Sequence, residues 1–422
     1  MGILVKMKKI RDIIYGFIHL DEQELEIIDH PVFQRLRRIR QLSLTDMVYP
    51  GAVHTRFEHS LGVMQMATDM FDCIIANNKD ILGKVYLLND TGIEIARKTV
   101  RLAALLHDIG HAPFSHSGES LMPLLPQDHK KYVDGADKRY EHEEYSIAII
   151  KSIFKSIIEG HPSSRNHNIK VEDVTALLGD TSLRHMDVMS LFWKALISGQ
   201  VDADRADYLL RDSMHIGVSY GLYDRSRLIN SLTIAQLESE DLTVAVEEKS
   251  WHVAESLILA RYQMFSQVYF HKVRRIYDYH VQAATKEILL HRSNGNTDVY
   301  PTPDNLDEYL VFDDWEINYA LKQKQAGSHG DILLNRKHFK CLHTSQPMPT
   351  PEDEAEISRL KQEYDGKPYH LDDRASTSWY KLDKDIVIFD GKKKKTMPLS
   401  EKSTIVKSIS DKTAQKRFYA AG

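Results

Sequence analysis

Helical periodicity is the feature that most restricts the fold of this chain. Apolar residues recur at the three- and four-residue spacing of an amphipathic helix over 61–75, 98–107, 144–158 and 251–290. Strand-like alternation of apolar and polar residues is scarce before residue 300. With 42% apolar residues, a chain of 422 residues can bury a substantial core. The sequence therefore predicts a globular, mainly α-helical protein.

The pattern changes in the last third of the chain. Residues 291–308 have the Gly, Asn and Pro content of a linker or long loop, and the segments HFKCLH and DIVIFD beyond them resemble strands. We therefore predict a helical core over 1–290 and a smaller α+β region over 291–422, with a role in oligomerisation or regulation. The run Lys392–Lys395 is interpreted as a solvated turn, with phosphate binding as the alternative.

Charge and cysteine content exclude several classes of protein. With 55 basic and 60 acidic residues, the net charge of −5 gives no general attraction to nucleic acid or to an anionic membrane. Cys73 and Cys341 have no partner at the spacing of a thiolate zinc site or a disulfide framework, which fits a reducing cytoplasm. Lysines interrupt the apolar start of the chain, so neither a secretion signal nor a membrane span is predicted there.

The stretch LLHDIGHAPFSHSGE, residues 105–119, carries the strongest functional signal. Gly110 and Pro113 end an apolar helix here, so His107 and Asp108 lie where a core helix opens into a loop. Adjacent side chains diverge on a regular helix, but a helix end can direct both towards one ion. A further His and a carboxylate would complete a mixed nitrogen and oxygen site suited to Mn²⁺, Fe²⁺, Mg²⁺ or Zn²⁺.

A second histidine is available in the stretch RFEHS. Thr55 followed by Glu58 is a capping-box pattern that starts a helix and places Arg56 and His59 in its first turn. The free N–H groups of such a turn attract anions. Taken alone, a histidine of this kind is more often a surface residue or a hydrogen-bonded core residue.

The missing carboxylate is available in VDADRADYLLRDS. Asp204, Tyr208 and Asp212 are spaced at i, i+4 and i+8, so they form one stripe of a helix beside Arg205. A carboxylate at the start of the stripe is placed to bind a metal ion, while Tyr208 and Asp212 are placed to hydrogen-bond a hydroxylated ligand. The alternative is an exposed, ion-paired helix face.

Six motifs in this order resemble the HD-domain deoxynucleoside triphosphate (dNTP) triphosphohydrolases. They are FQRLRRIRQL, YPGAVHTRFEHSLGV, LLHDIGHAPFSHSGE, EHEEYS, VDADRADYLLRDSMHIG and RYQMFSQVYFHKV, and the match covers about residues 8–280. The family includes bacterial dGTPase-type enzymes and a human dNTPase that carries a sterile-alpha-motif domain. The resemblance implies an HD-domain helical core and a metal-dependent hydrolysis of dNTP to deoxynucleoside and inorganic triphosphate.

The resemblance also implies the residues of the reaction centre. The expected ligands of a divalent metal ion are His59, His107, Asp108 and Asp204. The expected proton-transfer residue is His116, because a histidine tuned by a carboxylate exchanges protons near neutral pH. The residues expected beside it are Glu119, His142 and His111.

Substrate contacts are implied in the same way. The triphosphate is expected to meet three arginines, whose planar guanidinium groups suit phosphate oxygens. The sugar is expected to be held at its 3′-hydroxyl and crowded where a ribose 2′-hydroxyl would lie. The residues are Arg56, Arg205 and Arg261 for the triphosphate, Gln41, Tyr208 and Asp212 for the 3′-hydroxyl, and Tyr269 for the exclusion. By spacing alone, Tyr269 would be a residue of the helix core.

Some members of the family are tetramers activated by nucleotides bound between subunits. The positions that match their activator contacts are Asp29, Gln34, Arg37, His271, Lys272, Arg336 and Lys340. Gln267 stands where an Arg is expected, and Phe265 where the human enzyme has His. The resemblance therefore implies a homo-oligomer, a dimer or a tetramer, with GTP or a dNTP as activator. Ordinary surface charge is the alternative for these residues.

Two other functions are compatible with the sequence. HD proteins include phosphodiesterases and nucleases, which would not need an aromatic ring against the 2′-hydroxyl. A nucleotide-sensing or nucleic-acid-binding protein with a structural HD site is the second alternative. The chain has no stripe of Arg and Lys that by itself indicates a nucleic-acid polymer as ligand.

Overall fold

The computed structural model describes residues 8–134, 136–183, 188–237, 241–293, 300–377, 384–409 and 413–421. Helices dominate these ranges, and the sheets are few and small, so the predicted mainly α fold with a C-terminal α+β region is confirmed. No helix in the described ranges is both long enough and apolar enough to cross a lipid bilayer.

The α-helices of the described ranges are numbered in chain order. They are α1 (Glu22–Asp29), α2 (Pro31–Gln34), α3 (Arg56–Val85), α4 (Asp90–Leu106), α5 (His116–Glu119), α6 (His142–Ser152), α7 (Lys155–Gly160), α8 (Pro162–Arg165), α9 (Val171–Leu177), α10 (Val188–Ser198), α11 (Ala203–Ile216), α12 (Arg225–Asn230), α13 (Trp251–Met264), α14 (Lys272–Arg292), α15 (Leu306–Val311), α16 (Asp314–Lys322), α17 (Gly327–Asn335), α18 (Pro351–Glu363), α19 (Leu399–Lys402) and α20 (Thr404–Ile409).

The strands form three small sheets. They are β1 (Lys8–Asp12), β2 (Gly16–Leu20), β3 (Leu232–Gln236), β4 (Leu242–Glu247), β5 (Lys340–Thr344), β6 (Tyr369–Thr377), β7 (Val387–Asp390), β8 (Lys395–Pro398) and β9 (Thr413–Ala420). β1 and β2 form an antiparallel hairpin, and the other sheets have the orders β3-β4-β7-β8 and β5-β9-β6. Only β4 and β7 pair in parallel among these described strands.

The structure departs from the predicted elements in two ways. Strands β1 to β4 lie before residue 300, where few strands were expected. β1 was missed because its sequence, KKIRD, is too polar to show an alternating pattern. The predicted helix over 251–290 is divided, because α13 passes into a π-helical segment at Phe265–Tyr269 and α14 starts afresh at Lys272. Periodicity alone does not reveal a π turn, which is common at functional sites.

The hydrophobic core consists of two main clusters. The larger one packs α3, α4, α11 and α13 together through residues such as Met64, Leu105 and Leu257, all at most 1% exposed. The second cluster joins Phe114, from the polar loop after α4, to Tyr309 and the helices α14 to α17. It therefore draws residues from both sides of the boundary predicted at 291. Residues 294–299 of the predicted linker lie outside the described ranges.

Candidate active site

The start of α3, the end of α4 and the start of α11, which carries Asp204, bring the predicted metal ligands together. α3 begins at Arg56, with Glu58 Oε1 accepting a hydrogen bond from the Thr55 N–H at 3.1 Å, so the first turn carries His59 as predicted. α4 ends at Leu106 and turns over residues 107–110. Gly110 is required there, because a Cβ atom would lie 2.3 Å from the Ser146 nitrogen and 2.4 Å from the His142 oxygen. This close approach brings the start of α6 against the turn.

The predicted metal ligands converge on one point. His59 Nε2 lies 3.0 Å from Asp204 Oδ1 and 3.5 Å from Asp108 Oδ2. His107 Nε2 lies 3.2 Å from Asp108 Oδ1 and 3.8 Å from Asp204 Oδ1. Ligand atoms of His59, His107 and Asp108 all lie within 4.8 Å of one another, the separation expected around a single ion.

The hydrogen bonds of the two histidines show that a cation fits this set. His107 Nδ1 donates to the Ala104 carbonyl oxygen at 2.8 Å, so in the neutral ring Nε2 carries the lone pair. Nε2 is buried and makes no hydrogen bond within the described residues, although carboxylate oxygens face it. Burial lowers the pKa of His59, but hydrogen bonds to Asp204 and Asp207 outweigh burial and raise it to about 10. The raised pKa of His59 shows that the surrounding carboxylates favour positive charge, and the His107 lone pair faces the same carboxylate oxygens. A divalent metal ion fits such a set, which leaves the identity of the ion open.

A second histidine cluster adjoins the first. His111, His116, His142 and Glu119 offer ligand atoms within 4.8 Å of one another, and the rings of His111 and His142 stack with centroids 3.8 Å apart. Glu119 accepts from His142 Nδ1 at 2.6 Å and pairs with His116 Nδ1 at 3.0 Å. The His116 side chain is 63% exposed, so its Nε2 edge is open to a ligand.

Electrostatics separate the roles within this second cluster. Burial raises the pKa of Glu119, but the charges of His116 and His142 outweigh it and hold that pKa well below the usual range. Burial lowers the pKa of His142, yet the Glu143 and Glu119 carboxylates raise it to about 10. Burial and the nearby Arg56 hold the pKa of His111 well below its usual value, so His111 is neutral. Glu119 is therefore negatively charged and His142 positively charged in this cluster.

Both clusters open into one cavity of about 1110 Å³. This volume slightly exceeds the usual range for small-molecule sites, roughly 300–1,000 Å³. The predicted site residues that line it are Gln41, Arg56, His107, Asp108, His111, His116, His142, Asp204, Tyr208, Asp212 and Tyr269. His59 is fully buried behind the others. Strand β6 closes part of the wall through His370 and Asp373.

The family of the chain follows from its match to two domain models. A model described as the HD domain matches residues 56–212, and one described as the HD associated region matches residues 223–417. This chain belongs to the HD-domain family. The pair that gives the domain its letters is His107 and Asp108, which lie at the centre of the metal cluster.

Similar proteins span several organisms. The chain is 38% identical over 284 residues to the uncharacterized protein MJ1154 of Methanocaldococcus jannaschii, which covers 67% of this chain and 50% of that protein. It is 30% identical over 283 residues to the Dictyostelium discoideum protein named deoxynucleoside triphosphate triphosphohydrolase SAMHD1 homolog, covering 66% and 49% of the two chains. The alignments thus span about half the length of these curated relatives.

A solved structure extends the likeness to nearly the whole chain. The crystal structure of a hypothetical protein from Aquifex aeolicus superposes with a TM-score of 0.74 at 28% identity, covering 98% of this chain and 96% of that one. The HD domain and the C-terminal region are therefore similar to those of one solved protein. HD proteins are metal-dependent phosphohydrolases, so hydrolase activity and a divalent metal cofactor are the expected properties of this site.

The half-buried Tyr269 and the buried Asp212 form a polar pair on the cavity wall. The Tyr269 hydroxyl donates to Asp212 Oδ2 at 2.5 Å, and His54 Nε2 lies 2.8 Å from Asp212 Oδ1. Burial and the Asp212 charge raise the pKa of Tyr269 well above its ordinary value, so its hydroxyl keeps its proton. His54 was not anticipated from the sequence, because nothing near it in the chain points to Asp212.

Two of the three predicted triphosphate arginines lie outside the described lining of this cavity. Arg205 donates to the Asp202 carboxylate and to the Gly199 carbonyl oxygen, and it lines a separate cavity of about 320 Å³. Arg261 lies over the Phe265 ring, 5.4 Å from its centroid. Arg56 alone of the three reaches the HD centre, donating to Asp108 Oδ2 at 2.6 Å.

The residues predicted to bind an activator lie apart from the cavity. Gln34 donates to the Ile28 carbonyl oxygen and accepts from Arg37, whose guanidinium lies 3.5 Å from the Phe57 ring centroid. Arg336 donates to the Met47 carbonyl oxygen at 3.0 Å. None of the described residues lining the cavity belongs to the predicted set of Asp29, Gln34, Arg37, His271, Lys272, Arg336 and Lys340.

Asp207 is the main site residue that the sequence analysis missed. Its Oδ2 accepts from His59 Nδ1 at 2.8 Å, so the ring presents Nε2 to the metal cluster. It lies three residues after Asp204, on the same turn of α11. The sequence signal was present, since the second Asp of DRAD is one helical turn from a predicted ligand.

Proposed function

We propose that this HD protein is a metal-dependent dNTP triphosphohydrolase that releases deoxynucleoside and inorganic triphosphate. One observation carries the proposal: the metal cluster, the His116–Glu119 pair and the Tyr269–Asp212 pair open into one cavity. A metal, a proton donor and a polar sugar contact are the groups this hydrolysis requires. The similarity to the Dictyostelium protein named as a triphosphohydrolase supports the substrate class.

A divalent cation held by His59, His107, Asp108 and Asp204 would supply Lewis acidity to an α-phosphate oxygen of the substrate. Arg56 is anchored next to this point, with NH1 on Asp108 Oδ2 at 2.6 Å and Nε on Ser115 Oγ at 2.9 Å. Its fixed guanidinium adds positive charge where negative charge accumulates on phosphate oxygens. Arg205 and Arg261 would need to change their present contacts to reach the same phosphates.

Hydrolysis at the α-phosphorus needs one proton at the departing oxygen. The water oxygen bonds to phosphorus as the bond to the sugar 5′ oxygen breaks; the water loses a proton and the 5′ oxygen gains one. His116 is exposed to the cavity, and its Nδ1 bonds to the ionised Glu119 carboxylate, which orients the ring and leaves Nε2 as the atom that can exchange a proton with the substrate. His116 is therefore the proposed general acid, with Glu119 and His142 holding its ring.

The sugar would lie against Tyr269 and Asp212, with Gln41 and Tyr208 beside it. The Asp212 carboxylate would accept a hydrogen bond from the sugar 3′-hydroxyl, and the Tyr269 ring held beside it would crowd a second hydroxyl on the sugar. A deoxyribose then binds better than a ribose. We also propose that the protein acts as a homo-oligomer, and that GTP or a dNTP bound at the predicted activator residues increases its activity.

Product analysis tests the proposal directly. The purified protein is incubated with each dNTP and with Mn²⁺, Mg²⁺, Fe²⁺ or Zn²⁺, with and without GTP, and the products are separated by ion-exchange chromatography. Equal amounts of deoxynucleoside and inorganic triphosphate are expected, with none from the Asp108→Ala variant. Release of nucleoside monophosphate from cyclic or single-stranded substrates, without triphosphate from any dNTP, would instead identify a phosphodiesterase or nuclease. Nucleotide binding without turnover would identify a sensor.

A further inference from the structure

The loop that delivers His116 has an unfavourable backbone. Phe114 and Ser115 both have a φ of +56°, and neither is a glycine. Side chains with a β-carbon rarely adopt this left-handed region, so such residues persist only where the surrounding structure holds them. α5 begins at His116, directly after these two residues. The position of the His116 ring therefore depends on whatever holds this loop.

One carboxylate from the C-terminal part of the chain holds the loop. Asp314, the first residue of α16, accepts a hydrogen bond from the Phe114 N–H through Oδ1 at 2.7 Å. Its Oδ2 accepts from the Arg40 N–H at 2.8 Å. Asp314 is 2% exposed and does not line the cavity. It therefore connects the backbone at Phe114 to the backbone at Arg40, and the Ser115 hydroxyl joins the same two segments by donating to the Arg40 carbonyl oxygen.

Neighbouring residues of the same segment bind the rest of the loop. The Tyr309 hydroxyl donates to the Gly110 carbonyl oxygen at 2.6 Å. Arg35 is almost fully buried and joins the two parts, since its NH1 donates to the His111 carbonyl oxygen and its Nε to the Phe312 carbonyl oxygen, both at 2.9 Å. We call residues 309–314 the strap. It contacts the backbone of the loop at Gly110 and Phe114 directly, and at His111 through Arg35.

We propose that Asp314 is a positioning residue for His116, acting through the Phe114 N–H to keep the loop in the conformation that presents the imidazole to the cavity. The inference rests on the proposed function for its effect on catalysis, but its effect on the loop is independent of any substrate. A buried carboxylate that accepts two N–H groups loses both bonds when the side chain is removed, and each donor is then left unsatisfied.

Asp313 provides a matched control. It is the neighbouring residue, also buried, and its carboxylate caps α16 through the Glu316 N–H at 3.0 Å and pairs with Arg38. No hydrogen bond described for Asp313 reaches the loop at 110–116. Asp313→Asn therefore disturbs the same helix end without touching the Phe114 N–H. Asp314→Ala removes both loop bonds, and Asp314→Asn keeps one acceptor oxygen while turning a donor towards the other N–H.

Hydrogen exchange followed by mass spectrometry measures the loop without substrate. Peptides that contain Phe114 are expected to exchange about tenfold faster or more in Asp314→Ala, with a smaller change in Asp314→Asn and wild-type exchange in Asp313→Asn. With dNTP, kcat is expected to fall about 10- to 100-fold in Asp314→Ala while KM changes little, because a misplaced proton donor affects the chemical step. If Asp314→Ala does not fold, Asp314→Asn gives the same two readouts.

The outcomes separate this inference from the proposed function. Unchanged exchange at Phe114 in both Asp314 variants would overturn the inference, as would faster exchange with wild-type kcat. An equal fall in kcat for Asp313→Asn would also overturn the inference, because it would show that general destabilisation of α16 explains the loss of activity. If the wild-type protein hydrolyses no dNTP, the proposed function fails, while the exchange rates still decide whether Asp314 holds the loop.

Discussion

At the scale of single residues, the two nitrogens of His59 have different partners. Nδ1 bonds to Asp207 Oδ2, and Nε2 faces Asp204 and Asp108. Burial raises the pKa of Asp207, but the charge of Arg211 and the bond from His59 lower it to about 2, so the carboxylate stays ionised. Tyr15 of the β1–β2 hairpin donates to its Oδ1 at 2.9 Å. In the neutral ring, Asp207 thus favours the tautomer whose Nε2 lone pair points to the metal cluster.

Removing the Asp207 charge is expected to weaken metal binding. In Asp207→Asn the amide can turn its N–H₂ group towards Nδ1 and favour the tautomer that protonates Nε2. The affinity for Mn²⁺, measured by isothermal titration calorimetry, is expected to fall about 10- to 100-fold, the usual effect of losing such a partner. Tyr15→Phe is expected to have a smaller effect in the same direction.

Tyr223→Phe serves as the control for the hairpin tyrosine. The Tyr223 hydroxyl also lies against α11, but it donates to the Ala206 carbonyl oxygen at 2.6 Å rather than to Asp207. Its loss is expected to leave the Mn²⁺ affinity within twofold of wild type. Equal losses of affinity in Tyr15→Phe and Tyr223→Phe, or wild-type affinity in a folded Asp207→Asn, would contradict the role given to Asp207.

At the scale of elements, an ion pair between Glu24 of α1 and Arg101 of α4 connects the two helices. Arg101 donates through Nε to Glu24 Oε1 at 2.6 Å and through NH2 to Oε2 at 2.8 Å. Its NH1 donates to Thr68 Oγ1 of α3 at 2.8 Å, so three helices meet at one guanidinium. Burial raises the pKa of Glu24, but Arg101 and Lys98 outweigh it and lower the pKa to about 2.

This ion pair gives stability a defined dependence on pH. The carboxyl has a pKa near 4.5 in the unfolded chain and about 2 in the folded one, so the folded state binds fewer protons between these values. Its contribution, about 3 kcal/mol, is fully present above pH 4.5 and is lost as pH falls towards 2. The unfolding free energy of wild type is thus expected to exceed that of Glu24→Gln at pH 6, with the gap narrowing by pH 3.

Urea unfolding at several pH values measures this gap. Glu26→Gln on the same helix is the control, because Glu26 is exposed and no ion pair is described for it. It should stay within about 0.5 kcal/mol of wild type at every pH. If the difference in unfolding free energy between wild type and Glu24→Gln does not change from pH 6 to pH 3, the ion pair does not cause the pH dependence of stability.

The sequence predicted helix ends that are set by residues next to them in the chain. The capping pattern at Thr55 predicted the start of α3, which is confirmed. The breaker at Gly110 predicted a helix end in this region, but α4 already ends at Leu106 and the chain turns over residues 107–110. The hairpin β1–β2 escaped prediction because β1 (KKIRD) is polar and each of its strands has only five residues. The orientation of Arg205 escaped because Asp202, three residues earlier, competes for its guanidinium. Asp314 lies 200 residues from the Phe114 N–H it binds, and no spacing rule spans that distance.

At the scale of the whole molecule, the loop at residues 110–116 packs on an apolar core that the C-terminal part completes. The second apolar cluster contains Phe114 and Tyr145 from the first part of the chain, together with Tyr309 and Leu333 from beyond residue 291. Arg275 of α14 also forms a two-bond ion pair with Asp372 of β6, at 2.9 Å and 2.6 Å. The division into 1–290 and 291–422 therefore remains a prediction. The apolar side chains of the second cluster come from both sides of this boundary.

Two truncations that differ by residues 294–336, the segment that contains α15 to α17, test this dependence. The fragment 1–336 keeps every residue described in the second cluster, whereas 1–293 loses Tyr309, Leu333 and the strap. Both lack β5 to β9, so that loss is common to them. Fragment 1–293 is expected to unfold at a lower temperature and to bind more of an apolar dye, because Phe114 and Tyr145 lose the side chains that cover them. Equal unfolding temperatures and equal dye binding would show that residues 1–293 carry a self-sufficient core, and that the strap is not needed for folding.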